Sequence, residues 1–237
     1  MKLICLGDSI TRGQVSADYV ALLRARLPDD TVINAGVNHE PSSELVKRLD
    51  AVIAQDPDVV TVLIGTNDAN ATLSGKRARA LRRRWKLAAD PTAADYAANL
   101  AAVARRLQDQ TMARVALISL PVIGEDLASV PVRRAAEYSD IVRRVAAREG
   151  VTYLPLNERM TAYLEERGRT PGTPYRAEGL LAQTAAMQHF LLGRSLDTIS
   201  KRRGLQLTTD TIHLNGRGAA MIADLVEGFV TRSIAPH

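Results

Sequence analysis

The 237-residue chain predicts an α/β fold in which a parallel sheet carries helices on both faces, forming three layers within one domain. Three observations predict it. Short aliphatic or β-branched runs alternate with longer stretches of helical periodicity. Each short run is apolar at successive positions, as in strands covered on both sides. No internal repeat, low-complexity stretch or flexible linker divides residues 1–237.

Five strands are expected, at 2–6, 31–34, 59–64, 114–119 and 152–155. Between them, apolar residues spaced three and four apart predict helices at 16–27, 43–55, 93–110 and 132–149. Thr92 followed by Asp95 has the pattern of an N-terminal cap, Pro131 suits a first helical position, and Gly150 follows a basic last turn. A last helix over 216–233 is started by Asn215 and turns Ala219, Ile222, Leu225, Val226 and Phe229 inward. Two segments exceed the minimal alternation: a basic loop or short helix at 69–91, and an excursion at 157–207. Within the second, 178–203 reads as one helix with Leu180, Leu181, Met187, Leu191, Leu192, Leu196 and Ile199 on a broad apolar face. Packing on the core is the simpler role for that face, and a lid over an acyl pocket the sharper one.

Composition narrows the function. The net charge of +5 is local, because Lys76, Arg77, Arg79, Arg82, Arg83, Arg84 and Lys86 stand together without an acidic residue and outweigh it. That segment reads first as a solvated helix face and next as an attraction for anionic substrates or membrane surfaces. With a single Trp and no recognition module, nucleic acid is not the expected partner. The lone Cys5 lies in an apolar run, which excludes an intrachain disulfide and suits a reducing compartment. No stretch has the length of a membrane span, and the first strand begins at residue 2 with no leader before it, so a soluble cytoplasmic protein is expected.

Four short motifs carry chemistry, each after a predicted strand or before the last helix. Gly7-Asp8-Ser9 places a hydroxyl nucleophile at the carboxyl end of the first strand, where open α/β sheets bind ligands. Asn34-Ala35-Gly36-Val37 ends the second strand, and Gly36 permits close backbone approach. Gly65-Thr66-Asn67-Asp68 follows the third, and Asn67 offers an uncharged N–H donor suited to an oxyanion. In Asp210-Thr211-Ile212-His213, a carboxylate three residues before an imidazole can fix its tautomer. Taken singly, each is equally a turn or a solvated loop; taken jointly, they supply the parts of an acyl-transfer site. Asp8, Asp68, Asp210 and His213 could also be read as a hydrolytic metal cluster, a reading given little weight, and no metal is expected.

In this order the blocks resemble those of the SGNH hydrolase superfamily, which includes GDSL-type esterases and lipases, over residues 1–230. The resemblance implies a flavodoxin-like five-stranded sheet and a triad of Ser9, His213 and Asp210. It also implies oxyanion donors from Ser9, Gly36 and Asn67, and no cofactor. Two positions depart from the pattern: Thr211 stands where Gly is frequent and Leu214 where Pro is frequent. Asp8, His39 and Asp68 are candidate substrate contacts, whereas His189 and His237 read as structural or solvated. Gly-x-Ser-x-Gly, phosphate-loop and dinucleotide-loop patterns are absent, which removes the α/β-hydrolase elbow and nucleotide-cofactor readings.

Three functions stay open at this point. The first is an esterase on a small acyl ester, lysophospholipid or thioester. The second is a carbohydrate O-deacetylase or acyltransferase with the same residues, and the third a binding protein with a vestigial site. The sequence carries no signal of oligomeric state.

Overall fold

The computed structural model describes residues 1–177 and 180–231. Its centre is a five-stranded, all-parallel sheet in the order β2-β1-β3-β4-β5. The strands are β1 (Lys2–Gly7), β2 (Thr31–Gly36), β3 (Val59–Leu63), β4 (Arg114–Ile118) and β5 (Thr152–Leu154). This is the flavodoxin-like arrangement, whose connections switch faces on either side of β1 and open a crevice at the carboxyl ends of the central strands.

Twelve helices are described: α1 (Ser9–Arg12), α2 (Tyr19–Arg26), α3 (Ser42–Lys47), α4 (Leu49–Ile53), α5 (Thr66–Ala71), α6 (Gly75–Trp85), α7 (Ala93–Gln110), α8 (Val130–Glu149), α9 (Leu156–Arg167), α10 (Leu181–Phe190), α11 (Leu196–Arg202) and α12 (Gly216–Thr231). Strand alternation sorts the core into two halves. Leu3, Cys5, Val59, Leu63 and Ile118 face α2, α9 and α12, whereas Ile4, Leu6, Val60, Val62 and Leu117 face α3, α4, α7 and α8. Burial on both faces is what a strand flanked by helices on each side requires. Cys5 is fully buried, and burial pushes its thiol up to about 12.

Several helices follow their sequence signals closely. Thr92 and Asp95 form a reciprocal capping box on α7, Pro131 lies in the first turn of α8, and Gly150 closes it. Other elements differ from expectation for local reasons. The stretch 43–55 is two helices, broken at Arg48, whose guanidinium turns inward to the buried Glu40 and to the carbonyls of Ala35 and Gly7. The helix expected over 178–203 is also two, parted by a turn at Gly193 and restarted where Ser195 caps Thr198. Of its expected apolar face only Leu196 and Ile199 are buried; Leu180, Met187, Leu191 and Leu192 are exposed, and α10 packs through Ala185 in a small cluster with Leu196 and Ile199. Residues 178 and 179, the end of the last predicted helix beyond 231, and His237 lie outside the described residues. Among the described residues, no helix is long and apolar enough to cross a membrane.

Candidate active site

The hollow at the carboxyl end of β1 and β3 encloses about 160 Å³, with Ser9, Asn67, Asp210 and His213 among its lining residues. The turn after β1 shapes its floor. Asp8 caps α1 through Oδ1, which accepts the Ile10 N–H at 3.0 Å, and this starts a helix with Ser9 in its first turn. A first-turn N–H has no intrahelical acceptor, so Ser9 offers both a hydroxyl and a backbone donor at one point.

From the other end of the chain, residues 209–214 hold His213 against Ser9. His213 Nε2 lies 3.1 Å from Ser9 Oγ, and Nδ1 lies 2.7 Å from Asp210 Oδ2. Asp210 Oδ1 also accepts the N–H of Ile212 at 3.0 Å and of His213 at 2.7 Å, fixing the turn that presents the ring. Burial would push the Asp210 carboxyl up, but the His213 charge and these hydrogen bonds hold it below the usual carboxylate range. Burial would likewise lower the His213 imidazole, yet the Asp210 charge and hydrogen bond leave it raised. Thr211, between them, holds φ 75, a left-handed conformation uncommon for a β-branched residue.

The loop is anchored on both sides. Leu214 N–H donates to Ser16 Oγ at 3.0 Å, Ala17 N–H donates to Leu214 O at 2.9 Å, and Asn215 caps α12 through Gly218 N–H. Behind it, the buried Glu125 carboxylate accepts from the N–H groups of Gln206, Leu207 and Thr208 and from the Thr208 hydroxyl. Nothing in the sequence marks Glu125, one of two adjacent acids in the loop before α8.

Asn67, the second residue of α5, lines the hollow; its Nδ2 donates to Asp8 Oδ2 at 3.2 Å and to Glu40 O at 3.1 Å. The turn before it needs glycine: Gly65 has φ 117, and a Cβ there would lie 2.5 Å from the Tyr96 ring. Asp8 itself is not at the surface of the hollow. Buried between Ile10 and Asn67, it has its carboxyl raised to about 7, chiefly by burial.

Two more expected site residues stand elsewhere. Gly36 does not line the hollow: its N–H is donated to Asn34 Oδ1 at 3.0 Å, and an added Cβ would meet Arg12 N at 2.2 Å. It serves the close approach of β2 to α1 rather than presenting a free donor. Asp68 points away from Ser9, accepting from Ser42 N at 3.0 Å and from Ser42 Oγ at 2.6 Å, and burial raises its carboxyl. With Asp68 turned away, no cluster of three or more His, Cys, Asp or Glu side chains suited to a metal forms among the described residues.

His39 does line the hollow, three residues beyond Gly36, with φ 62. Its carbonyl accepts from Trp85 Nε1 at 2.8 Å, and among the described residues no acceptor takes its N–H. The basic segment also reaches the site. Its helix α6 packs on Ala71 through Ala78 and Leu81 and forms one wall of an adjoining hollow of about 340 Å³, lined by Arg77 and Arg84. Their seven-residue spacing, which places them on one helical face, was the signal available in the sequence.

Comparison with known proteins places the fold. An acetyl xylan esterase, AlAXEase, is 23% identical with a TM-score of 0.69, over 97% of this chain and 100% of that one. A lipase/acylhydrolase from Enterococcus faecalis is 21% identical with a TM-score of 0.64, over 100% and 98% of the two chains. Axe2, an acetylxylan esterase from Geobacillus stearothermophilus, is 18% identical with a TM-score of 0.67, over 97% and 94%. A search of the curated proteins gives no significant match. The decisive match is a family model that covers residues 5–221, from the middle of β1 into α12. The chain accordingly belongs to the GDSL-like lipase/acylhydrolase family, and is an ester-hydrolysing enzyme.

Proposed function

We propose that the enzyme hydrolyses a carboxylic ester with a short acyl group through a covalent intermediate on Ser9, with His213 as base and Asp210 as its orienting carboxylate. The reading rests on one observation: residues 204 positions apart form a continuous hydrogen-bonded chain, Ser9 Oγ to His213 Nε2 and His213 Nδ1 to Asp210, in a buried setting. In the first half-reaction, Nε2 takes the Ser9 proton as Oγ attacks the carbonyl carbon. The resulting imidazolium, stabilised by Asp210, returns the proton to the leaving alcohol. Water, deprotonated by the same nitrogen, then releases the carboxylic acid from the acyl-enzyme.

The oxyanion would be held by the Ser9 N–H and by Asn67, whose longer hydrogen bond, to Asp8, is the one a substrate oxygen would replace. A third donor is the His39 N–H, in place of Gly36, since it borders the hollow without an acceptor. The hollow beside Ser9 is well below the roughly 300–1,000 Å³ of a drug-sized site, which favours a short acyl group. Fold similarity to two proteins described as acetyl xylan esterases supports a second reading in which the alcohol is a carbohydrate.

Intact-mass detection of an organophosphonate adduct tests the chemistry. One adduct is expected on the wild type and none on Ser9→Ala, which should also lose burst release from a chromogenic ester; undiminished turnover by Ser9→Ala would refute the assignment. An acyl-length panel, with an acetylated xylooligosaccharide beside simple acetate esters, then separates the two substrate readings.

A further inference from the structure

Resting on the site reading above, we propose that the alcohol portion of the substrate carries an anionic group, a carboxylate or phosphate, held by Arg77, Arg84 and Arg176 beside Ser9. The two hollows share His39, Asn67, Asn70 and Arg77, so one ligand can span them. The smaller has Leu181, Ala182 and Ile212 in its wall, suited to a short acyl chain. That leaves the larger, with Arg77 and Arg84, for the alcohol; Arg176 lines the smaller, and its carbonyl accepts from Arg77, which borders both.

Among the described residues, Arg77, Arg84 and Arg176 line the two hollows without a counter-charge. Arg82 pairs with Asp90, and Arg48 nearby pairs with Glu40. Among the described residues, no carboxylate lies within ion-pairing distance of Arg77, Arg84 or Arg176. Among the described residues, no acid lines the larger hollow, and the single one in the smaller, Asp210, is engaged by His213. Arg77 is moreover set in place without a ligand. Its guanidinium lies 5.6 Å over the Tyr175 ring, Nη2 donates to Arg176 O at 3.1 Å, and the Tyr175 hydroxyl is anchored on Asn70 at 2.5 Å. Yet Arg77 Nε is buried with no acceptor. Buried donors are almost always satisfied, and an orphan donor on a fixed guanidinium bordering a cleft is one that an oxyanion of the ligand can satisfy.

Matched aryl esters test this. Phenyl acetate is the neutral reference, 4-acetoxybenzoate and 4-acetoxyphenyl phosphate carry the charge on the alcohol side, and phenyl hydrogen adipate carries it on the acyl side. At low ionic strength, kcat/KM for an alcohol-side anion should exceed that for phenyl acetate by about tenfold or more, mainly through KM, and the excess should shrink with salt. The preferred arm identifies the anion as carboxylate or phosphate. R77Q and R84Q should each bring the ratio toward one, and R84E, at an exposed position, should lower it further. A wild-type ratio near one, a ratio insensitive to R77Q and R84Q, or a preference confined to the adipate would overturn the proposal. If Ser9→Ala keeps its turnover, the catalytic reading has failed instead, so the two failures are distinguishable.

Discussion

Glu125 offers a test of how far a residue remote from the chemistry controls it. Its carboxylate is 3% exposed and accepts four hydrogen bonds: Oε2 from Gln206 N–H at 2.7 Å, and Oε1 from Leu207 N–H at 2.9 Å, Thr208 N–H at 2.8 Å and Thr208 Oγ1 at 2.7 Å. In Glu125→Gln the amide oxygen can keep the three bonds of Oε1, while its NH₂ faces the Gln206 N–H, donor against donor. One buried donor left unmet costs about 1–3 kcal/mol, and the three surviving bonds lose charge assistance, for a total of about 2–4 kcal/mol. Glu125→Ala orphans all four donors and should lose about 4 kcal/mol or more. Residues 206–208 lead directly into the turn that presents His213, and an error near 1 Å there can cost on the order of 100-fold in rate. Urea unfolding gives the stability and steady-state kinetics the rate, with the exposed Glu165→Gln as control. Glu125→Gln should be less stable, with kcat reduced more than KM is changed. Stability within about 0.5 kcal/mol of wild type together with an unaltered kcat would refute the reasoning.

Three further outcomes are expected. Because Asp210 raises the His213 imidazole, kcat/KM should climb with pH as the ring loses its proton, through a midpoint above the ordinary 6.5; Asp210→Asn should lower both that midpoint and kcat, the latter by roughly 10⁴ as in the serine-protease triad. A wild-type midpoint at or below 6.5 would contradict this. Asp8→Asn can satisfy Ile10 or Asn67 but not both, so about 1–3 kcal/mol should be divided between stability and catalysis. An inflection about pH 7 in kcat, from the Asp8 carboxyl, should vanish in that variant, and its persistence would exclude Asp8 as the source. Gly36→Ala retains its N–H but sets a Cβ 2.2 Å from Arg12 N, so thermal denaturation should show a loss of about 3 kcal/mol or more; a variant of native stability would show that the site is not packed as described.

The sequence discloses the layers because burial on two faces writes itself into each strand, and Val59–Leu63 or Arg114–Ile118 has no polar side to confuse the period. Helix ends are legible where a side chain makes the cap, as Thr92 and Asp95 do for α7. The break at Arg48 is not, because its cause is a tertiary contact with Glu40 and two strand carbonyls. In the split between α10 and α11, Gly193 and Ser195 were visible markers outweighed by the run of leucines around them. The candidate site divides similarly. Ser9, Asn67, Asp210 and His213 can be read as chemistry just after a strand or before the last helix, whereas Gly36 misleads because its N–H is claimed by Asn34, two residues back. Asp68 misleads because Ser42, 26 positions away, takes its carboxylate, and Glu125 is silent because its four donors are backbone and hydroxyl groups of no distinctive sequence. Thr211 shows the converse. Its φ of 75 gives a physical reason why glycine is frequent at that place, so the departure from the family pattern marks a strained turn beside His213.

The chain has one tryptophan, Trp85, and its indole is hydrogen-bonded to the carbonyl of His39 at the mouth of the cleft. Ultraviolet excitation at the red edge therefore interrogates one indole in one place, with no second emitter to dilute it. Any occupant that shifts the 37–40 loop or rotates α6 alters the polarity around that ring, so the emission maximum can be used to titrate the cleft directly in the unlabelled enzyme, even with molecules that are bound and never turned over.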